Sequence, residues 1–208
     1  ASQTGSTVGY LTEAANTVGA QWVGAVPQAN GQNAAQMLSG GLKAAILLQV
    51  EPEFDSALGS DATMALATAD MVVSLSAFKA NMAVSDVMLP IAPFSETSGT
   101  FVNAEGRVQS FHAVVKPAGD ARPAWKVLRV LANLLHLPGF EFDSTQEVLA
   151  TLAVEQRDDA SFVPAAMLDN AAGVTSKIDV SIATVEPVVA SIYQLDGLVR
   201  RATSLQLT

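Results

Sequence analysis

Ala44-Ala45-Ile46-Leu47-Leu48-Gln49-Val50 is a nearly continuous apolar run, and it stops at Glu51-Pro52. Such a run is typical of a strand that is covered on both faces, as in a parallel sheet. Two further apolar runs, at 71–78 and 87–92, predict a second and a third strand of the same kind. Together the three runs predict consecutive β-α-β units, and hence an α/β fold built on a Rossmann-like parallel sheet.

Helical segments are predicted to connect these strands. Either Asp55 or Asp61 can cap the first helix, which ends near Ala69, because a carboxylate there can accept hydrogen bonds from backbone N–H groups of the first turn. The second link passes through Met82 and has about eight residues. A parallel crossover usually needs roughly 10–12 residues, so this link is short for its task. A further short helix is expected around residues 11–20, ahead of the sheet.

The pattern changes after the third strand. Apolar and polar residues alternate around Phe111, which predicts either an antiparallel hairpin or an extended arm within 101–116. A helix is expected next, with Asp120 and Pro123 in its first turn and Pro138-Gly139 as its stop. Ser144-Thr145-Gln146-Glu147 has the pattern of a capping box and therefore predicts the start of another helix.

The last 50 or so residues are predicted to be an extension of the sheet domain. A linker over 158–176 leads to an extended piece at 178–182 and to a short terminal helix over 195–205. The sequence thus divides into an α/β domain segment at 1–157 and a C-terminal extension at 158–208.

Composition and charge restrict the possible functions. Half of the 208 residues are apolar and 15% are charged, as in a globular chain. The net charge of −9 disfavours binding to nucleic acids or to anionic membrane surfaces, because both need clustered Lys and Arg. The absence of cysteine excludes disulfides, thiolate zinc sites and Cys-ligated iron–sulfur clusters on these residues. No apolar run approaches the roughly 18–20 residues of a membrane span, and direct membrane insertion is not expected.

Four segments occur in the order and at the spacing of a known family. They are 15–20 (ANTVGA), 50–55 (VEPEFD), 94–109 (FSETSGTFVNAEGRVQ) and 193–202 (YQLDGLVRRA). The chain resembles the molybdopterin oxidoreductases, and within them the G-type iron–sulfur subunit of bacterial NADH–quinone oxidoreductase, respiratory complex I. In active molybdopterin enzymes the strand equivalent to residues 44–50 more often ends in a turn of the Gly-Glu-Asn-Pro type. The Glu51-Pro52 ending therefore favours the respiratory subunit.

This resemblance implies a fold, a parent protein and a role. The fold is half of a molybdopterin-oxidoreductase domain, and the parent subunit carries 4Fe-4S and 2Fe-2S clusters on an N-terminal half that this chain lacks. The segment itself is then structural, with no catalytic residue, cofactor or metal of its own. It is expected to contact the rest of its subunit and other peripheral-arm subunits, on the cytoplasmic side of the bacterial inner membrane.

Two alternatives to this interpretation remain. The chain could be the cofactor-binding half of an active molybdopterin-dependent oxidoreductase, such as a relative of formate dehydrogenase. It could also be a protein-interaction module without redox ancestry, in which case the parallel three-stranded core should be missing.

Carboxylates cluster where the first predicted strand ends. Glu51, Glu53 and Asp55 lie where α/β folds place their sites, and they could act as acid–base groups or bind a hard cation. A structural role is favoured, since helix capping by Asp55 accounts for part of the cluster. His112 and His136 are the only histidines and lack the spacing of metal ligands, so both are predicted to be structural.

Four polar residues alternate along an extended segment that follows the third strand: Asn103, Glu105, Arg107 and Gln109. The resemblance places such a row near the pterin in cofactor-bearing relatives, so it is the candidate for a vestigial cofactor-binding face. Ion pairs among Glu96, Glu105 and Arg107 that merely order the loop are the alternative, and a structural or interface role is favoured.

Arg200-Arg201 is the remaining candidate. Two guanidinium groups could bind a carboxylate or a phosphate through paired hydrogen bonds. In a terminal helix, however, such a pair is expected to face solvent or a partner subunit.

Overall fold

The computed structural model describes residue 5 and residues 14–27, 29–104, 106–158 and 192–207. At its centre is a parallel sheet of three strands, in the order β1-β2-β3. The strands are β1 (Ala44–Leu48), β2 (Met71–Ser76) and β3 (Val87–Pro90). This sheet confirms the predicted α/β fold and argues against an interaction module without the three-stranded core.

Each strand ends a little earlier than the apolar run that predicted it. After β1 the backbone of Gln49 turns into the left-handed region, with φ of 52°. After β2 the chain bends, and the Phe78 N–H donates to Ser76 Oγ at 3.0 Å. After β3, Ile91 makes only an isolated parallel bridge with Arg122. The apolar runs are therefore longer than the hydrogen-bonded strands, because residues such as Ile91 are buried without being in a strand.

Four short helices lie before β1 or between β1 and β2 in the chain. They are α1 (Thr17–Trp22), α2 (Ala34–Leu38), α3 (Pro52–Asp55) and α4 (Ser60–Leu66). The prediction that Asp55 or Asp61 caps the helix between β1 and β2 is wrong. Gly59, with φ of 55°, precedes α4, and no side chain caps that helix. Asp55 instead accepts a hydrogen bond from the Glu51 N–H at 2.7 Å.

The short link between β2 and β3 is a 3₁₀ turn at Ala80–Ala83. Its buried Asn81 donates from Nδ2 to the Val50 carbonyl at 2.7 Å, which ties the turn to the end of β1. The hydroxyls of Ser74 and Ser85 lie 2.7 Å apart, within hydrogen-bonding distance. These polar contacts explain how a link shorter than a usual crossover still joins two parallel strands.

The predicted hairpin is present as β4 (Gly99–Val102) and β5 (Val108–Phe111), which pair in antiparallel fashion. It does not continue to residue 116, because the backbone beyond β5 bonds to a different part of the chain. The Ala113 N–H donates to Ser98 Oγ at 3.3 Å, and the Val114 N–H donates to the Ser95 carbonyl at 2.9 Å. These two contacts lead the chain away from the hairpin.

The hairpin is held to the rest of the fold through α1. The Asn16 side chain, just before α1, accepts a hydrogen bond from the Val102 N–H at 2.8 Å. Val102 is 2% exposed and is one of the largest fully buried side chains. The other large buried apolar side chains come from α4, β2 and the residue after β3: Leu66, Val72, Leu75 and Ile91.

Two longer helices follow the hairpin, α5 (Ala124–Leu134) and α6 (Thr145–Asp158). The sequence predicts that Asp120 and Pro123 lie in the first turn of α5 and that Pro138-Gly139 stops the helix. Pro123 is the residue just before α5, and Asp120 lies outside it. The helix also ends earlier than predicted, because His136 takes a left-handed backbone conformation with φ of 56°. At α6 the predicted capping pattern is present: the Glu147 N–H donates to Ser144 Oγ at 3.2 Å. The Glu147 carboxylate returns to the Asp143 N–H at 2.9 Å, one residue earlier than in a standard capping box.

The C-terminal predictions are tested only in part. The linker over 158–176 and the extended piece at 178–182 lie outside the described residues, apart from Asp158 at the end of α6. In place of one terminal helix over 195–205, the structure has 3₁₀ turns at Ile192–Gln194 and Val199–Arg201, followed by α7 (Thr203–Gln206). Within the described ranges, no helix is long and apolar enough to cross a membrane.

Candidate functional site

A cleft of about 210 Å³ lies beside the carboxyl ends of β1 and β2. Parallel α/β sheets place their ligand sites at this edge. Aromatic side chains of Phe78, Phe94 and Phe101 line the cleft, together with Glu51 and Arg200. The cleft thus joins the end of β1 to the C-terminal residues.

Glu51 is the central group of this site. It is 6% exposed, and both of its carboxylate oxygens are paired with arginine. Its Oε2 lies 3.2 Å from Arg200 Nη1, and its Oε1 lies 2.8 Å from Arg201 Nη2. A buried carboxylate needs such partners, because an uncompensated charge away from water is strongly destabilising.

Asp55 completes the charge balance. Its Oδ1 accepts a hydrogen bond from Arg200 Nη2, while its Oδ2 accepts one from the Glu51 N–H at 2.7 Å. Two carboxylates therefore face two guanidinium groups, and the side chain of Arg200 is only 6% exposed. Burial by itself lowers the pKa of Arg200, but the hydrogen bond from Arg200 to Asp55 and the negative charges of Asp55 and Glu51 outweigh it and raise that pKa.

Aromatic rings hold the same guanidinium groups from the side. Arg200 lies over the ring of Phe54, 4.8 Å from its centroid, and Arg201 lies over Phe78 at 3.8 Å. Both distances are within the range of cation–π interactions. Each arginine is therefore bound by a carboxylate and an aromatic face together.

Local sequence explains why the two halves of this site have their shape. Glu51 and Asp55 are four residues apart: Glu51 comes just before the single turn of α3, which Pro52 begins, and Asp55 is its last residue. Residues at this spacing lie on the same side of a helical turn, so the two carboxylates are neighbours. On the other half, Asp196 Oδ1 accepts hydrogen bonds from the N–H groups of Leu198 and Val199 at 2.8 and 3.1 Å. This contact shapes the turn that presents Arg200.

The structure brings together candidates that the sequence treats separately. The expectation that Arg200 and Arg201 face solvent is wrong for Arg200, whose side chain is 6% exposed and binds the carboxylates of Glu51 and Asp55. Glu53, by contrast, is exposed. Sequence reasoning misses the pairing because Glu51 and Arg200 are 149 residues apart. The one available signal is that both lie in segments that carry the family resemblance.

The proposed vestigial face has a different geometry from the predicted extended row. Asn103 and Arg107 lie in the turn between β4 and β5, where the Arg107 N–H donates to Asn103 Oδ1 at 2.8 Å. Gln109 is in β5 and pairs with Phe101 across the hairpin. Glu105 lies outside the described residues. A cofactor-binding role for these residues stays a prediction.

The histidines lie apart from the cleft lining, and both are exposed. His112 follows β5, and His136 follows α5, where a cation would complement the helix dipole. Among the described residues, no three His, Asp or Glu side chains are grouped so that they could hold a metal ion.

The groups at the cleft do not suit the phosphate of a pterin cofactor. Arg200 and Arg201 could bind a phosphate, but both are already paired with carboxylates. The Gln49 side chain is also engaged, since its Nε2 donates to the Ala92 carbonyl at 3.2 Å. An incoming anion would have to displace these contacts and would meet Glu51 and Asp55 instead.

Comparison with known proteins gives a family match over the residues that form the sheet. The model of the molybdopterin oxidoreductase family matches residues 2–134. This chain belongs to the molybdopterin oxidoreductase family. The match includes β1 to β5, α3 and α5, and it stops before Arg200 and Arg201.

Individual relatives of the molybdopterin oxidoreductase family fall into two groups. A Staphylococcus aureus (strain MRSA252) protein, provisionally named a formate dehydrogenase, is 45% identical over 51 residues, 24% of this chain and 5% of that protein. The mitochondrial NADH-ubiquinone oxidoreductase 78 kDa subunit of Candida albicans is 48% identical over 52 residues, 25% of this chain and 7% of that subunit. The matched part of this chain thus spans well under a tenth of either relative's length.

Proposed function

We propose that this chain is a structural segment of the G-type iron–sulfur subunit of an NADH–quinone oxidoreductase. The observation that carries the proposal is the pairing of Glu51 with Arg200 and Arg201 at the carboxyl edge of the sheet. This edge is where the fold would bind a ligand, and here the chain's own charges fill it. The likeness to the Candida albicans subunit also supports assignment to the respiratory subunit.

In this role the segment supports electron transfer only indirectly, as a scaffold and through its contacts with other parts of the complex. The sequence contains no cysteine, so Cys-ligated clusters have no ligands on these residues. In the proposed parent, 4Fe-4S and 2Fe-2S clusters on other residues carry the electrons from NADH toward quinone. The segment scaffolds the cluster-bearing part and contacts other peripheral-arm subunits. The proposed location is the cytoplasmic face of the bacterial inner membrane.

A second candidate function is the cofactor-binding half of a molybdopterin-dependent oxidoreductase. The match to the Staphylococcus aureus protein favours it as strongly as the other match favours the respiratory subunit. It requires that the pterin displace the ion pairs of Glu51, or bind elsewhere, for example near Asn103 and Gln109.

Elemental and cofactor analysis of the purified chain separates the two functions. The chain is expected to contain no stoichiometric molybdenum, tungsten or iron and to release no fluorescent pterin after oxidation. Stoichiometric molybdenum or tungsten together with pterin would overturn the structural role and support the second candidate. A formate-dependent reduction of an artificial electron acceptor by the metal-loaded protein would identify the activity.

A further inference from the structure

The carboxyl edge of the sheet has two adjoining places for a guanidinium group. At the first, Arg200 lies between Glu51 Oε2 at 3.2 Å, the Asp55 carboxylate and the ring of Phe54 at 4.8 Å. At the second, Arg201 lies between Glu51 Oε1 at 2.8 Å and the ring of Phe78 at 3.8 Å. Each place combines a carboxylate with an aromatic face, which is the chemistry that recognises guanidinium.

The segment that supplies the arginines, residues 192–207, is largely organised by its own hydrogen bonds. Gln206 Nε2 donates to the Tyr193 and Val199 carbonyls at 3.0 and 2.9 Å. Arg201 Nη1 donates to the Gly197 carbonyl at 2.6 Å, within the same segment. These residues form a unit that meets the sheet through charged side chains, and we call it the strap.

We infer that the carboxyl edge of the sheet is a receptor for an Arg-Arg segment, and that the strap is its intramolecular ligand. The receptor consists of Glu51, Asp55, Phe54 and Phe78. Without the strap it would present two carboxylates and two aromatic rings, and it would attract guanidinium groups rather than anionic cofactors. This inference rests on the proposed cofactor-free role of the same cleft, but its test has no redox or metal readout.

The strap also fits closely at Gly197. A Cβ placed there would lie 3.5 Å from Glu51 Oε1 and 3.6 Å from the ring of Phe78. Those are ordinary contact distances, so Gly197→Ala is tolerated, whereas the side chain of Gly197→Phe has no room. Gly197→Phe therefore detaches the strap by size and leaves all four charges of the site unchanged.

Hydrogen exchange in the full chain measures whether the strap covers its receptor. In Arg200→Gln/Arg201→Gln and in Gly197→Phe, the hydrogen-bonded amides of Glu51, Phe54 and Asp55 are expected to exchange roughly tenfold faster or more. Arg122→Gln, which removes an exposed guanidinium bonded to its neighbouring carbonyl, and Gly197→Ala should match the unmodified chain. Unchanged exchange in the double variant and in Gly197→Phe would overturn the inference.

A peptide of residues 192–207 tests the receptor directly. Added to the double variant, the unmodified peptide is expected to bind and to restore slow exchange at the amides of Glu51, Phe54 and Asp55. A peptide with glutamine at both arginine positions should bind roughly tenfold more weakly or worse. Equal binding of the two peptides would contradict recognition of the Arg-Arg pair. If the double variant does not fold, Arg201→Gln serves instead, because that side chain is 34% exposed.

Discussion

At the scale of single residues, burial distinguishes two glutamates that the sequence presents as equals. Glu51 is buried and pairs with two arginines, whereas Glu53, two positions later, is exposed. The sequence predicts the place of this carboxylate cluster, because the cluster directly follows the apolar run that predicts β1 and so lies at the carboxyl end of that strand. It does not predict the partners, because no local pattern joins residues 149 positions apart.

Glu51→Gln is expected to destabilise the chain by about 3 kcal/mol, the lower end of the range for breaking a buried ion pair. The lower end applies because Asp55 still balances the charge of Arg200. Glu53→Gln is the matched control and should change the free energy of unfolding by less than about 0.5 kcal/mol. Urea unfolding of both variants measures the difference, and equal stabilities would show that the ion pairs contribute nothing.

Asn16 and Gly19 both affect one hydrogen bond, which the Val102 N–H donates to Asn16 Oδ1. Asn16→Ala removes the acceptor of the buried Val102 N–H, at an expected cost of about 1–3 kcal/mol. In Gly19→Ala the new Cβ would lie 2.1 Å from Asn16 Oδ1, so the Asn16 side chain must move and the same hydrogen bond is strained or lost.

The double variant Asn16→Ala/Gly19→Ala is therefore expected to lose much less stability than the sum of the single losses. A double-mutant cycle by chemical unfolding gives this coupling, and Asn30→Ala, at an exposed asparagine, is the control. Additive losses would mean that the two residues act independently.

At the scale of the elements, local signals predict the existence of strands and helices better than their ends. The three apolar runs correspond to β1, β2 and β3, and the capping pattern at Ser144 corresponds to the start of α6. Ends depend on contacts far away in sequence. The hairpin, for instance, ends at Phe111 because the following residues bond to Ser95 and Ser98.

Helix α6 is expected to lose its first turn in acid. The Asp143 N–H and the Ser144 hydroxyl donate to the Glu147 carboxylate and lower its pKa in the folded chain. Because the pKa of Glu147 is lower in the folded chain than in the unfolded chain, its carboxylate stabilises the folded chain fully at a pH above the unfolded-state pKa of about 4.3. This stabilisation is lost as the pH falls through the folded-state pKa.

Circular dichroism and hydrogen exchange between about pH 6 and pH 3 should show this loss, after correction for intrinsic exchange rates. In Glu147→Gln the first turn should be weak at every pH in that range. Glu141→Gln, at an exposed glutamate, should keep the pH dependence of the unmodified chain. A Glu147→Gln variant with an unaltered pH profile would rule out this carboxylate as the cause.

At the scale of the whole molecule, β1 is an outer strand of the sheet, with no further strand beside it among the described residues. Within the described residues β1 pairs only with β2, and its Ile46 and Leu48 are 59% and 42% exposed. Parallel sheets are normally covered on both faces, and an apolar strand edge without charges invites association. The sequence predicts a strand covered on both faces, so the exposure of Ile46 and Leu48 marks apolar surface that the described residues leave uncovered.

The isolated chain is therefore expected to self-associate as its concentration rises, and Ile46→Lys should weaken this association. Sedimentation velocity over a range of concentrations measures it. Val114→Lys is the matched control, since Val114 is 83% exposed but lies outside the strands. If both lysine variants reduce association equally, general charge repulsion is responsible and the strand edge is not.

The contact between Glu51 and Arg200 also has a consequence for biosynthesis. The ribosome makes Arg200 149 residues after Glu51, a delay of roughly 7–30 s at ordinary elongation rates. During that interval the nascent sheet carries two carboxylates whose counter-charges do not yet exist. Translation that aborts in the interval leaves a polypeptide whose Glu51 and Asp55 lack the guanidinium groups that pair with them in the full chain.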